Sequence, residues 1–109
     1  MATSKYNIQI KRLQLGHDRV YLIYGGQAHI GAVVTAYFHH GEVQTQLQAL
    51  PGHREDQLAL ELAEYAASQL KVTVTVVMGI HFDRATKEMI QEIVEEVRGL
   101  MHEEIGANP

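Results

Sequence analysis

The stretch "QALPGHREDQLALELAEYAASQL", residues 48–70, holds the switch on which the fold turns. Before Pro51-Gly52 the chain alternates apolar and polar residues. After Glu55 and Asp56 the apolar residues Leu58, Leu62, Ala66 and Leu70 recur every four positions, with Ala59, Ala63 and Tyr65 beside them. A period of two gives a strand its face, and a period near 3.6 gives a helix its face. The junction therefore separates a strand from an amphipathic helix that packs by one side.

Upstream, "YNIQIKRLQL", "DRVYLIYGG", "AHIGAVVTAYF" and "EVQTQLQAL" read as four successive strands. The connectors "GHD", "GGQ" and "HHGE" are short and carry glycine, as hairpin turns do, so a mostly antiparallel meander is expected. Downstream, "KVTVTVVMGIHFD" is a fifth strand. Thr86 is placed to cap a second helix, whose apolar residues Ile90, Ile93, Val94, Val97, Leu100 and Met101 fall three and four apart, with Glu92, Glu95 and Glu96 outward. No repeat or linker interrupts the pattern, and residues 1–109 are expected to form one domain. Two helices cannot cover both faces of such a sheet. The expected fold class is α/β in the α+β, two-layer sense: a mostly antiparallel sheet of about five strands with two helices on one face.

Composition excludes several function classes. Lys plus Arg number 9 against 13 Asp plus Glu, a net charge of −4, so no basic stripe faces a phosphate backbone and nucleic acid is not an expected partner. The start "MATSKYNIQIKRLQL" lacks the apolar core of a signal peptide, and no run approaches the about 18 apolar residues of a membrane span. No membrane partner is expected, and the expected compartment is the cytoplasm. The absence of cysteine removes disulfide, thiolate and iron–sulfur chemistry. No nucleophile elbow, phosphate-binding Gly-Lys-Thr loop or dinucleotide fingerprint is present either.

Alternation places side chains on opposite faces of each strand. In the fifth strand Val72, Val74, Val76, Met78, Ile80 and Phe82 point to the helix layer, whereas Thr73, Thr75, Val77, Gly79, His81 and Asp83 point away. In the third, His29, Gly31, Val33, Thr35 and Tyr37 share the less apolar face. "HIG" and "GIH" thus mirror each other, each pairing a histidine with a glycine two positions away. Glycine inside a strand marks a bulge or the close approach of a ligand or another backbone. A flat ligand against Gly31 and Gly79, edged by His29 and His81, is one reading; bulges with backbone-satisfied histidines are the other.

The junction at 51–56 has two readings as well. A helix N-terminus presents unpaired N–H groups, Gly52 would let an anion approach them, and His53 and Arg54 add donors. Against this, Glu55 and Asp56 suit the helix dipole unaided and oppose a further negative charge. Glu55 and Asp83 could also fix a histidine tautomer or accept from a ligand. A metal site formed by His29, His53 and His81 has no local ligand spacing behind it. His39 and His40 belong to a hairpin tip, and His17 and His102 to the surface.

The motifs "AHIGAV" (28–33), "PGHRED" (51–56) and "GIHFDRATKEMI" (79–90), in that order, resemble those of the small LpdD-like proteins, the prenylated-flavin chaperone family associated with gallate-type decarboxylases of the UbiD class. The likeness runs from about Gly25 to about Glu96. It implies a fold like that of the proteasome-assembly chaperones, a homodimer, and binding of prenylated FMN, or of FMN itself, to deliver it to an apo-decarboxylase or protect it beforehand. It also implies cofactor contacts at His29, Gly31, His53, Arg54, Gly79, His81 and Asp83, to which the residue reading adds Gly52 and Glu55. A carrier of this kind need perform no reaction, so no catalytic residue and no resident metal are expected. Two other classes compete: a protein-interaction module without cofactor, and a small histidine-metal enzyme. A strand face bearing Val33, Val77 and Tyr37 would leave an apolar patch in water, which is a separate motive for pairing two copies.

Overall fold

Strands form where the sequence alternates and helices where its period lengthens. The computed structural model describes residues 5–52 and 55–109. In chain order it contains β1 (Gln9–Leu15), β2 (Asp18–Gly26), β3 (Ala32–His39), β4 (Glu42–Ala49), α1 (Asp56–Leu70), β5 (Val74–His81) and α2 (Lys87–Ala107). The fold is α+β, a five-stranded, mostly antiparallel sheet with two helices.

The strand order is β1-β2-β5-β3-β4, with β2 and β5 parallel and every other neighbouring pair antiparallel. Two hairpins, β1-β2 and β3-β4, thus accept β5 between them. The meander expected from three short connectors is broken at "GGQ", where β2 does not turn back on β3 but leads past the end of β5. The reason lies in β5 itself. Its run of valines can be buried between neighbours on both sides, which an edge strand cannot offer. At the crossing Gly26 takes φ +63°, and a side chain there would collide with the His81 carbonyl. The Gln27 N–H donates to that same carbonyl at 2.8 Å.

The helix-facing side of the sheet presents Tyr21, Ile23, Ala32, Val34, Ala36, Val74, Val76 and Met78, all buried. α1 meets them with Ala59, Leu62, Ala63, Ala66 and Ala67, and α2 with Ile93, Val97, Met101 and Ile105. Ala32 and Ala36 lie in the strand beneath α1, where small side chains on both surfaces let helix and sheet approach. Arg98 of α2 donates from Nε and Nη2 to the two carboxylate oxygens of Glu61 on α1, each at 2.7 Å. That bidentate pair holds the Glu61 carboxyl below its usual range.

Among the described residues the opposite sheet face carries no helix. Its register sets Leu13 beside Val20, Leu22 beside Val77, Val77 beside Val33, and Tyr37 beside Gln44. At its centre the Thr35 and Thr75 hydroxyls bond each other at 2.7 Å.

Candidate functional site

β4 and β5 both run antiparallel to β3 and therefore end at the same edge of the sheet. β2, parallel to β5, ends there too. The two helices begin at that edge, directly after β4 and β5. In open α/β sheets the crevice beyond the carboxyl ends of strands is where ligands bind, because chain ends diverge there and helix N-termini point into the gap.

Three sequence segments meet at this edge. Residues 27–31 cross over the end of β5, anchored where the Gly31 N–H donates to the Met78 carbonyl at 2.8 Å and the Leu50 N–H donates to the Gly31 carbonyl at 3.0 Å. A side chain on Gly79 would strike the His29 backbone, and one on Gly31 would strike the Glu55 carboxylate. Both glycines, Gly79 in β5 and Gly31 in the crossing, therefore admit close approach by the protein itself. The flat ligand expected against them on the open face is displaced, since its space is filled by the His29 backbone and the Glu55 side chain. β3 begins only at Ala32, so His29 belongs to the crossing rather than to the strand expected to start near residue 28.

His29 is held from two sides. Its Nδ1 lies 3.0 Å from the Gln27 carbonyl, to which it must donate because a carbonyl only accepts. Its Nε2 lies 3.1 Å from Glu55 Oε2, and both side chains are largely enclosed, at 24% and 15% exposure. That approach has the distance of an ion pair but is not aligned as a hydrogen bond. His81 Nε2 sits 3.1 Å from Asp83 Oδ1, while Gln27 Nε2 donates to Asp83 Oδ2 at 3.5 Å. The two imidazoles stand edge to face, 6.4 Å between centroids. Of the expected site residues, His29, Gly31, Glu55, Gly79, His81 and Asp83 are thus brought together, and Gly52 lies at the cavity described next. His53 and Arg54 lie outside the described residues. Among the described residues no three His, Asp or Glu side chains are grouped to hold a metal ion.

Beside this cluster, on the helix side of the sheet, a cavity of about 480 Å³ opens between the starts of α1 and α2 and the end of β5. Leu58, Met78, Ile80, Phe82, Ile93 and Val94 form its apolar wall; Glu55, His81 and Arg84 supply its polar groups. Arg84, which sequence reasoning passed over, has φ +57°, an uncommon backbone state for a side-chain-bearing residue. The signal was available: a basic residue immediately after the strand that carries the "GIHFD" motif. The helix starts differ. Thr86 caps α2 by accepting from the Met89 N–H at 3.1 Å, whereas Glu55 at the head of α1 makes no side-chain cap. The N-terminal segment braces the cavity from outside, with Tyr6 edge-on to Phe82 at 5.6 Å and its hydroxyl donating to Glu92 at 2.8 Å.

The family described as the prenylated flavin chaperone LpdD-like domain matches residues 2–107. The chain belongs to that family. No curated protein matches it. The LpdD-like family is named for a flavin, which needs an apolar slot for its rings, donors and acceptors along one edge, and a place for a phosphate. The chemistry of the cavity fits each demand: an apolar wall, Glu55 and His81 as edge partners, and Arg84 with the uncapped turn of α1 for an anion. Among the described residues no helix is long and apolar enough to cross a membrane.

Proposed function

We propose that this chain is a cytoplasmic, non-catalytic carrier that holds prenylated FMN in the cavity between the helix starts and protects or delivers it to an apo-decarboxylase of the UbiD type. One observation carries the reading. The described parts of the three motif segments, 28–33, 51–52 with 55–56, and 79–90, converge from distant parts of the chain on one edge of the sheet, beside an apolar cavity rimmed by Glu55, His81 and Arg84.

The chain's own residues would bind, orient and release. Arg84 offers the phosphate a guanidinium fork, the first turn of α1 adds backbone donors, and Arg54, a motif residue outside the described residues, is proposed as a second fork. His81 and Glu55 meet the polar edge of the rings, and the Gln27–Asp83–His81 bonds fix the imidazole that would do so. The cofactor's reactivity is used by the decarboxylase, so the carrier's task is to keep water and oxidants away and to let go. A homodimer that covers the open sheet face at Val33, Val77 and Tyr37 completes the reading.

A second reading, a protein-interaction module without cofactor, is favoured by that same uncovered face. Anaerobic titration with reduced prenylated FMN, followed by calorimetry and visible absorbance, separates the two. Micromolar or tighter binding, weakened in Arg84→Ala, Arg54→Ala and His81→Ala, supports the carrier. A folded protein that retains neither prenylated FMN nor FMN through gel filtration supports the interaction module.

A further inference from the structure

The apolar stripe of α2 outruns the core it packs on. Ile93, Val97, Met101 and Ile105 are buried along one side of the helix, but Ile90, one turn earlier on the same side, is 51% exposed. It stands at the mouth of the cavity, which Leu58 of α1 lines from the other helix. A half-exposed isoleucine on a rigid helix start, facing an apolar cavity, is a surface that gains from being covered. Its position is well fixed. The Thr86 cap sets the helix start, and Tyr6 holds both Phe82, through its ring, and Glu92, through its hydroxyl.

We infer that Ile90 reads the isoprene-derived ring of the ligand, so that the cavity prefers prenylated FMN to FMN; this rests on the carrier reading above. The additional ring of prenylated FMN is apolar and is fused on the long edge of the flavin opposite the ribityl phosphate. Seating that ring against Ile90 leaves the cavity's polar groups, Glu55, His81 and Arg84, to meet the rest of the ligand. FMN bound through the same phosphate contacts would leave the Ile90 side chain against water. Covering roughly 60 Å² of apolar surface corresponds to about a tenfold gain in affinity at the usual transfer coefficient. Polar contacts at the rim are common to both ligands and give no preference.

The test measures dissociation constants for reduced prenylated FMN and reduced FMN, anaerobically, in wild type, Ile90→Ala and Leu15→Ala, the last removing an exposed leucine from β1. Wild type is expected to favour prenylated FMN about tenfold. Ile90→Ala should lose most of that preference by weakening prenylated FMN alone, with FMN within about twofold and Leu15→Ala unchanged, since only the covered surface supplies the gain. Far-ultraviolet circular dichroism should not change, because Ile90 carries little of the core. Equal wild-type affinities, or an equal loss of both ligands in Ile90→Ala, would overturn the inference while leaving the carrier reading in place. Binding of neither ligand by folded wild type would overturn both.

Discussion

The backbone of His29 passes over Gly79 where a side chain would otherwise stand. This contact, between residues fifty positions apart, lets the 27–31 crossing settle on the end of β5 and carries His29 to Glu55. Gly31, one step further along the crossing, plays the same part for the Glu55 carboxylate. The two glycines differ in what they would displace, and the difference can be measured.

Gly79→Ala must push aside backbone, which cannot swing away. It should destabilise the fold by about 2–3 kcal/mol and abolish ligand binding. Gly31→Ala meets the tip of a flexible side chain, so Glu55 can rotate outward. That variant should unfold within about 1 kcal/mol of wild type, the scale of a local readjustment, yet bind the flavin more weakly. Urea unfolding of both variants checks the pair; equal losses of stability would refute the distinction.

Acid stability should depend on the N-terminal brace. The Tyr6 hydroxyl donates to Glu92, and Lys5 Nζ lies 3.0 Å from the same carboxylate, so the Glu92 carboxyl is held below its usual 4.5, chiefly by the Tyr6 bond. A depressed carboxyl contributes stability that is present above its unfolded value and is lost as pH falls through the lower folded value. The melting temperature of wild type should therefore drop more steeply below about pH 4.5 than that of Glu92→Gln. The pair is exposed, so 0.5 M salt should narrow the gap between the two proteins. Parallel acid limbs for the two proteins at low salt would count against the brace.

Much of this arrangement was written in the sequence, because periodicity reports burial. The faces of β5 and β3, the packing side of α1 and the Thr86 cap all follow from spacing and residue type, and the structure has each of them. Topology was less legible. A short glycine-rich connector looks the same whether it closes a hairpin or leads across a neighbouring strand, and only the insertion of β5 decides between them. For the site, the histidine–glycine pairs singled out residues that the fold brings together, but a missing side chain cannot say whether a ligand or a backbone fills the gap, and here the protein itself fills it. Arg84 escaped notice, and Ile90 reads in the sequence as one more member of the packing stripe, because each becomes unusual only through its surroundings: one by a left-handed backbone beside a cavity, the other by exposure on an otherwise buried stripe.

The open sheet face makes its own demand. Val33 and Val77 are directly paired at its centre, with Leu22 beside Val77, and among the described residues no helix lies over them. If two copies pack there, wild type should be a dimer at micromolar concentration by light scattering, and Val77→Lys should be a folded monomer, because a buried unpaired ammonium is costly. A wild-type monomer, or a Val77→Lys dimer, would place the partner surface elsewhere.

The Thr86 cap links stability to selectivity. Replacing its hydroxyl leaves the Met89 N–H without its acceptor and should cost about 1 kcal/mol, the usual penalty for losing a threonine N-cap. The loss falls on the first turn of α2, four residues before Ile90, so fraying there should loosen the apolar mouth before it disturbs the buried residues from Ile93 onward. Thr86→Ala should therefore melt several degrees lower and show a smaller preference for prenylated FMN over FMN. Thr86→Ser, which keeps the hydroxyl, should restore both. A lowered melting temperature with the ligand preference intact would mean that the helix start is held by packing alone, and that the cap serves stability without shaping the cavity.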